Sequence, residues 1–151
     1  MLEALIRHIG HHTAVPVGGG DICRAYRVET AAATYFAKTL LRPDPQMFAA
    51  EAWGLRRLDA VVPGLTPEVV HVSTDWLVLA WVDSAPPTVG ASRALGRRLA
   101  QLHQAHAGSF GQGPEPARIG SLPMPSGVCA TWPQMYASLR LEPLLDPGLA
   151  N

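Results

Sequence analysis

Hydrophobic and polar positions along this chain follow two periods. Across residues 34–40, TYFAKTL, successive side chains alternate between faces, so Phe36, Lys38 and Leu40 share one face. Residues 46–58, QMFAAEAWGLRRL, switch to a helical period. Phe48, Glu51, Leu55 and Leu58 are spaced by three, four and three and fall on one stripe. Residues 76–82, WLVLAWV, are a near-continuous apolar run, the pattern of a strand covered on both faces. Around these anchors the pattern predicts strands at 13–17, 22–29, 34–40, 67–72 and 76–82, with a turn at 30–33. A short amphipathic helix is expected over 2–9, with Leu2, Leu5, Ile6 and Ile9 on one side. Pro43-Asp44-Pro45 breaks the chain before the second helix, with Asp44 as the expected N-cap and Pro45 as the first helical residue. That helix should end near Ala60, and Pro63-Gly64 marks the turn after it.

The second half reads differently. Residues 83–89 are short and Pro-rich and are the expected boundary, dividing the chain into 1–82, a linker at 83–89, and 90–151. A helix is predicted over 90–107, with Leu95, Leu99, Leu102 and His106 on one stripe. Residues 108–130 are rich in Gly, Pro and Ser and read as one long loop. Thr131 is expected to cap a last helix, with Pro133 near its start and Met135, Tyr136 and Leu139 as its apolar side. Strands with one inserted helix, followed by helices, make an α+β chain.

Three features carry candidate chemistry. Gly18, Gly19 and Gly20 lack a Cβ, so backbone amides can approach a ligand closely, and such amides favour phosphates. Lys38, the chain's single lysine, lies between two large apolar residues on its strand face. An unpaired buried ammonium is costly, so it needs a counter-charge or a ligand. Glu51, the one acid in its helix stripe, is the candidate partner. A glycine-rich loop, a strand lysine and a helix glutamate are the phosphate-holding parts of protein-kinase-type phosphoryl transfer. The bland alternatives are a flexible turn at 18–20, a lysine snorkelling from a strand edge, and a glutamate on a solvated helix face. A dinucleotide-binding βαβ unit fits poorly, because a strand-like segment rather than a helix follows the glycines.

Composition narrows the choices. The 151 residues carry a net charge of zero at pH 7 and no basic run, which argues against nucleic acid or an acidic membrane as partner. Two cysteines, Cys23 and Cys129, are too few for a disulfide framework. With neither a signal peptide nor a long apolar run, a soluble cytoplasmic protein is expected. His8, His11 and His12 read as a solvated helix end rather than metal ligands, and His103 and His106 as structural.

The ordered segments GGGDICRAYRV, YFAK, MFAAEAWGL, TPEVV, LVLAWVD, LGRRLAQLH, IGSLPMPSG and the spaced Trp132, Tyr136 and Arg140 together resemble the fructosamine/ketosamine kinases. These are a branch of the aminoglycoside-phosphotransferase-like kinases. The resemblance implies a protein-kinase-like small lobe, a five-stranded antiparallel sheet plus one helix, followed by the first helices of the large lobe. It implies ATP-dependent phosphorylation, with Mg2+, of the sugar moiety of a ketosamine or glycated amine. On this resemblance Gly18–Gly20 lie over the ATP phosphates, and Lys38 holds the phosphates and pairs with Glu51. Ala80, Trp81 and Val82 form the adenine-binding hinge, and Trp132 with the 120–127 loop borders the sugar site. Ala80 stands where these kinases often carry an acid, and Cys23 where bacterial relatives often carry a polar residue.

One part of the family pattern is missing. The sequence contains no His-Gly-Asp followed by a downstream Asn, and no later metal-binding Asp in the right context. The resemblance therefore puts the catalytic Asp beyond Asn151, with no catalytic residue among those present. The expectation is an N-terminal portion of such a kinase, inactive alone, with Mg2+ ligands outside this chain. An uncovered 95–99–102 stripe could then drive self-association. Another small-molecule kinase of the aminoglycoside or choline type, and a non-catalytic nucleotide-binding fragment, stay open as alternatives.

Overall fold

The computed structural model describes residues 12–18, 22–42, 44–105 and 108–145. The helix expected over 2–9, His8, His11, Gly19, Gly20 and His106 lie outside the described residues. So does Asn151, the residue beyond which the catalytic Asp is expected. Five strands form one antiparallel sheet: β1 (His12–Val17), β2 (Cys23–Thr30), β3 (Thr34–Leu40), β4 (Val69–Val72) and β5 (Trp76–Ala80), in the order β1-β2-β3-β5-β4. Thr30 closes the β2–β3 hairpin. Its Oγ1 accepts from the Ala32 and Ala33 amides and donates to the Ala33 carbonyl. This local competition for backbone groups is what makes threonine a turn former. In register, Lys38 lies opposite Ala25 on β2 and Leu77 on β5. Lys38 therefore sits on the central strand, not at a strand edge.

The alternation along β3 sorts the core into two faces. Val28, Ala37, Trp76 and Val78 cluster on one face with Tyr26 and Tyr35 packed beside them. Leu77 and Leu79 cluster on the other with Cys23, Phe36 and Leu40, and there helix α1 (Met47–Val61) supplies Phe48 and Ala52. Every residue from Trp76 to Leu79 is buried, as the apolar run predicted.

Helix α1 differs from expectation in two details. Leu58 is 37 % exposed and Ala52 is buried, so the buried face turns away from the expected stripe. At about 100° per residue, Leu58 comes round roughly 80° from Phe48, on the side opposite Ala52. The same geometry puts Glu51 on the flank of the buried face rather than at its centre. Asp44 is not the N-cap. Gln46 takes that position in a helical conformation without a side-chain cap, and Asp44 Oδ1 instead accepts from the Gln46 amide at 3.0 Å.

Helix α2 (Val89–Gln104) is capped by Thr88, whose Oγ1 accepts from the Ala91 amide at 3.1 Å. It has no buried residue, and Leu95 and Leu99 are 53 % and 40 % exposed. Arg98 Nη2 ties it to the turn after α1, donating to the Pro63 carbonyl.

Residues 108–130 are not one long loop. They contain a hairpin of β6 (Ala117–Ile119) and β7 (Leu122–Met124), and an isolated antiparallel pairing of Phe110 with Cys129. Gly120 opens the two-residue hairpin turn at φ +60°, a conformation that suits glycine at the first turn position. A short helix α3 (Trp132–Tyr136) follows, with Thr131 Oγ1 accepting from the Gln134 amide, and runs into a π turn over Ala137–Leu141. Among the described residues, no helix is long and apolar enough to cross a membrane.

Candidate functional site

Lys38 and Glu51 meet on the α1-covered face of the sheet. Lys38 Nζ lies 2.6 Å from Glu51 Oε2, and the side chains are 18 % and 33 % exposed. The two elements bring the pair onto one face. β3 alternation aims Lys38 at the face that carries Phe36 and Leu40, and α1 lies across that face. Lys38 Nζ also stands 5.8 Å from the centroid of the Phe48 ring, at the range of a cation–π contact. An ammonium has three donors, and the ion pair uses one. With the side chain still partly open to solvent, Lys38 can serve an anion while Glu51 holds it in place.

Cys23, opposite Leu40 in the β2–β3 register, borders the same pair. Burial pushes its thiol pKa above the ordinary value. The Lys38 charge partly offsets this and the Glu51 charge adds to it. Cys23 is free, and so is Cys129.

The remaining expected site residues are placed as follows. Gly18 follows β1 and is exposed, and a Cβ built there meets no atom within 4 Å, so the described fold leaves open space above it. At the end of β5, the Ala80 and Trp81 amides donate to the Glu68 and Thr34 carbonyls, at 2.9 and 3.3 Å. Those two donors are spent on the sheet; Val82 is 63 % exposed. The Trp81 ring is held by its Nε1 donating to Asp83 Oδ1 at 2.9 Å, with the Arg27 guanidinium 5.3 Å from the ring centroid. Trp132 opens α3, half exposed, and stacks on Tyr136 with centroids 4.9 Å apart. Lys38 and Glu51 are thus in contact, whereas Trp132 lies on the separate α3 segment.

Sequence reasoning missed a second ion pair. Arg118 on β6 grips Asp44, with Nη1 2.7 Å from Oδ2 and Nη2 2.9 Å from Oδ1. Residues 119–122, Ile-Gly-Ser-Leu, held the signal: a Gly-Ser pair between apolar residues is a two-residue hairpin turn. A cavity of about 560 Å3 at the far end of α1, lined by Leu55, Asp59, Thr66 and Glu68, includes neither Lys38 nor Glu51. Size alone is therefore a poor guide here, and the charge arrangement marks the site. Among the described residues no group of three or more His, Cys, Asp or Glu could hold a metal ion.

Residues 2–148 match the sequence profile of the fructosamine kinase family. The chain belongs to that family. It is 34 % identical over 146 residues to a protein of Thermus thermophilus named "Probable ketoamine kinase", covering 95 % of this chain and 52 % of that protein. It is 31 % identical over 131 residues to a chloroplastic protein-ribulosamine 3-kinase of Oryza sativa subsp. japonica, covering 83 % of this chain and 38 % of that one. A crystal structure from Thermobifida fusca, provisionally named fructosamine-3-kinase, superposes with a TM-score of 0.83 at 32 % identity, over 97 % of this chain and 56 % of that one. The chain thus spans about half the length of the curated relatives it matches. The five-stranded sheet with α1 against it is the protein-kinase-like small lobe of this fructosamine kinase fold.

Proposed function

We propose that this member of the fructosamine kinase family supplies the nucleotide-holding half of an ATP-dependent ketosamine kinase. The observation that carries the proposal is the Lys38–Glu51 ion pair at 2.6 Å on the central strand, with open space above Gly18 just after β1. In phosphoryl transfer by kinases the protein's work is positioning and charge stabilisation. Lys38 neutralises and orients the polyphosphate, Glu51 orients Lys38, and the 18–20 glycines bring backbone amides close. The relatives' names support a glycated amine as acceptor, with the phosphate going to its sugar moiety.

The rest of the expected arrangement belongs to the same proposal. Residues 1–82 form the nucleotide lobe, 83–89 the linker and 90–151 the beginning of the second lobe. The 80–82 segment contacts adenine through the Val82 amide and the segment's carbonyls, since the Ala80 and Trp81 amides are committed to the sheet. Trp132 borders the sugar site, and the protein works in the cytoplasm. Mg2+ would be held by ligands outside this chain, as the family resemblance implies.

Taken alone, the 151 residues hold a nucleotide and do not transfer phosphate, because no His-Gly-Asp with a following Asn is present to orient the acceptor hydroxyl. On this reading the Asp that serves the acceptor belongs beyond Asn151. Two measurements test the proposal. Titration with ATP should show binding that Lys38→Met weakens at least tenfold; equal affinity in parent and variant would remove Lys38 from the phosphate site. Incubation with ATP, Mg2+ and a fructosamine should yield no ketosamine-dependent ADP. ADP formation from pure chain would place the catalytic group within these residues.

A further inference from the structure

The start of α1 is weakly held by its own sequence. Its N-cap, Gln46, offers no side-chain bond, and its first turn contains no acidic residue. The exposed amides and the positive end of the helix dipole therefore look outside the helix for a partner. Asp44 meets that need from two residues upstream, its Oδ1 accepting from the Gln46 amide at 3.0 Å. The same carboxylate takes both terminal nitrogens of Arg118, at 2.7 and 2.9 Å. Such a two-pronged pair fixes direction as well as distance. Arg118 comes from the β6–β7 hairpin, 74 residues on, and its side chain is only 11 % exposed. The tip of that hairpin also reaches Ile22, the residue before β2, since a Cβ on Gly120 would stand 3.5 Å from Ile22 Cδ1.

Glu51 lies one turn into α1, on the flank of its buried face. A small rotation of the helix start would carry it away from Lys38. Side-chain packing on the hairpin side does little to prevent this. A cavity of about 330 Å3 lies there, lined by Glu51 and Arg118 together with Trp53, Gly54 and Ala117. An apolar contact would tie the hairpin down as well as a buried ion pair does, or better, so the charge pair is better suited to setting one arrangement.

We infer that Asp44 and Arg118 form a positioning latch, through which the β6–β7 hairpin fixes the start of α1 and thereby holds Glu51 against Lys38. Neither residue touches the nucleotide. The hairpin's attachment sets how well the phosphate-binding lysine is aimed. The part of this inference that concerns ATP rests on the proposed nucleotide role of Lys38; the part that concerns α1 does not.

The test uses the full 151-residue chain and two readouts. Amide hydrogen exchange follows α1 without any ligand. In Arg118→Ala, exchange at residues 50–53, the first amides bonded within the helix, should rise at least tenfold while residues 76–80 are unchanged. Unaltered exchange at 50–53 overturns the latch. This arm is decisive even if the parent chain binds no ATP, an outcome that would sink the nucleotide reading instead. Where the parent binds ATP, Arg118→Ala should weaken ATP at least fivefold and leave adenosine within twofold, because only the phosphates reach Lys38. Equal losses for ATP and adenosine mean general loosening and overturn the positioning role. Arg118→Lys keeps one charge-assisted bond and should recover part of the ATP affinity; a lysine variant no better than alanine overturns it too. If Arg118→Ala exchanges faster everywhere, Asp44→Asn, which retains an acceptor for the Gln46 amide, takes its place with the same readouts and the same criteria.

Discussion

Lys38 has two neighbours whose behaviour depends on its charge. In Lys38→Met, Glu51 is left beside Phe48 with no counter-ion. A fully buried pair broken from one side costs roughly 3–5 kcal/mol, and an exposed one under about 1. With the two side chains 18 % and 33 % exposed, an intermediate loss of about 1–2 kcal/mol is expected in urea unfolding. The second neighbour is Cys23. Burial raises its thiol pKa and Lys38 lowers it, so Lys38→Met should raise it further. At pH 8.5, iodoacetamide should then label Cys23 more slowly in the variant than in the parent, as read by peptide mass spectrometry. Faster labelling would show that α1 had left the sheet. The sign of the stability effect follows from the raised value. Cys23's contribution is complete below the ordinary thiol pKa of about 9 and is lost as pH rises through the higher folded value. Parent stability should accordingly fall above pH 9 by a part that Cys23→Ala removes.

Among the elements, the 108–145 segment depends on a glycine that the chain's pattern does not mark. Gly111 has φ +86°, and a Cβ there would stand 2.7 Å from Leu139 Cδ1 and 2.9 Å from the Gly127 carbonyl oxygen. The left-handed conformation alone disfavours other residues by on the order of 1–3 kcal/mol, and the backbone overlap adds to it. Gly111→Ala should therefore disrupt the Phe110–Cys129 pairing and raise the reactivity of the buried Cys129 thiol. A labelling rate equal to that of the parent would mean that the segment accommodates the methyl group. The reverse holds at Gly18, where a Cβ meets nothing within 4 Å. Gly18→Ala should leave thermal stability within about 0.5 kcal/mol, the range of ordinary surface changes, and show its effect in ATP titration. A large stability loss would instead make this glycine a structural one. The β6–β7 hairpin shows the limit of pattern reading at this scale. Its strands are three residues each, too short for alternation to register, and only the Gly-Ser pair announces it.

In the whole molecule, the sheet and α1 form one packed unit, whereas α2 has no buried residue and shows Leu95 and Leu99 to solvent. Apolar surface of this kind promotes association. Sedimentation should show a mass that grows with protein concentration, and Leu95→Lys with Leu99→Lys should return it to the monomer; a parent chain monomeric at every concentration would count against the prediction. Much of this architecture is determined by the sequence alone. Alternation in 34–40 decides which face Lys38 occupies, the apolar run at 76–79 decides that β5 is an interior strand covered on both faces, and helical spacing carries Glu51 round to α1's sheet side. These are local periods, and a strand or helix repeats them whatever it packs against. The tertiary structure decided the rest. Whether Leu58 or Ala52 is buried depends on where the sheet meets the helix, and whether Asp44 caps a helix depends on a guanidinium 74 residues away. Such partners are set by packing between distant segments. No local period records that packing, because the carboxylate's best donor is fixed only once the hairpin has docked.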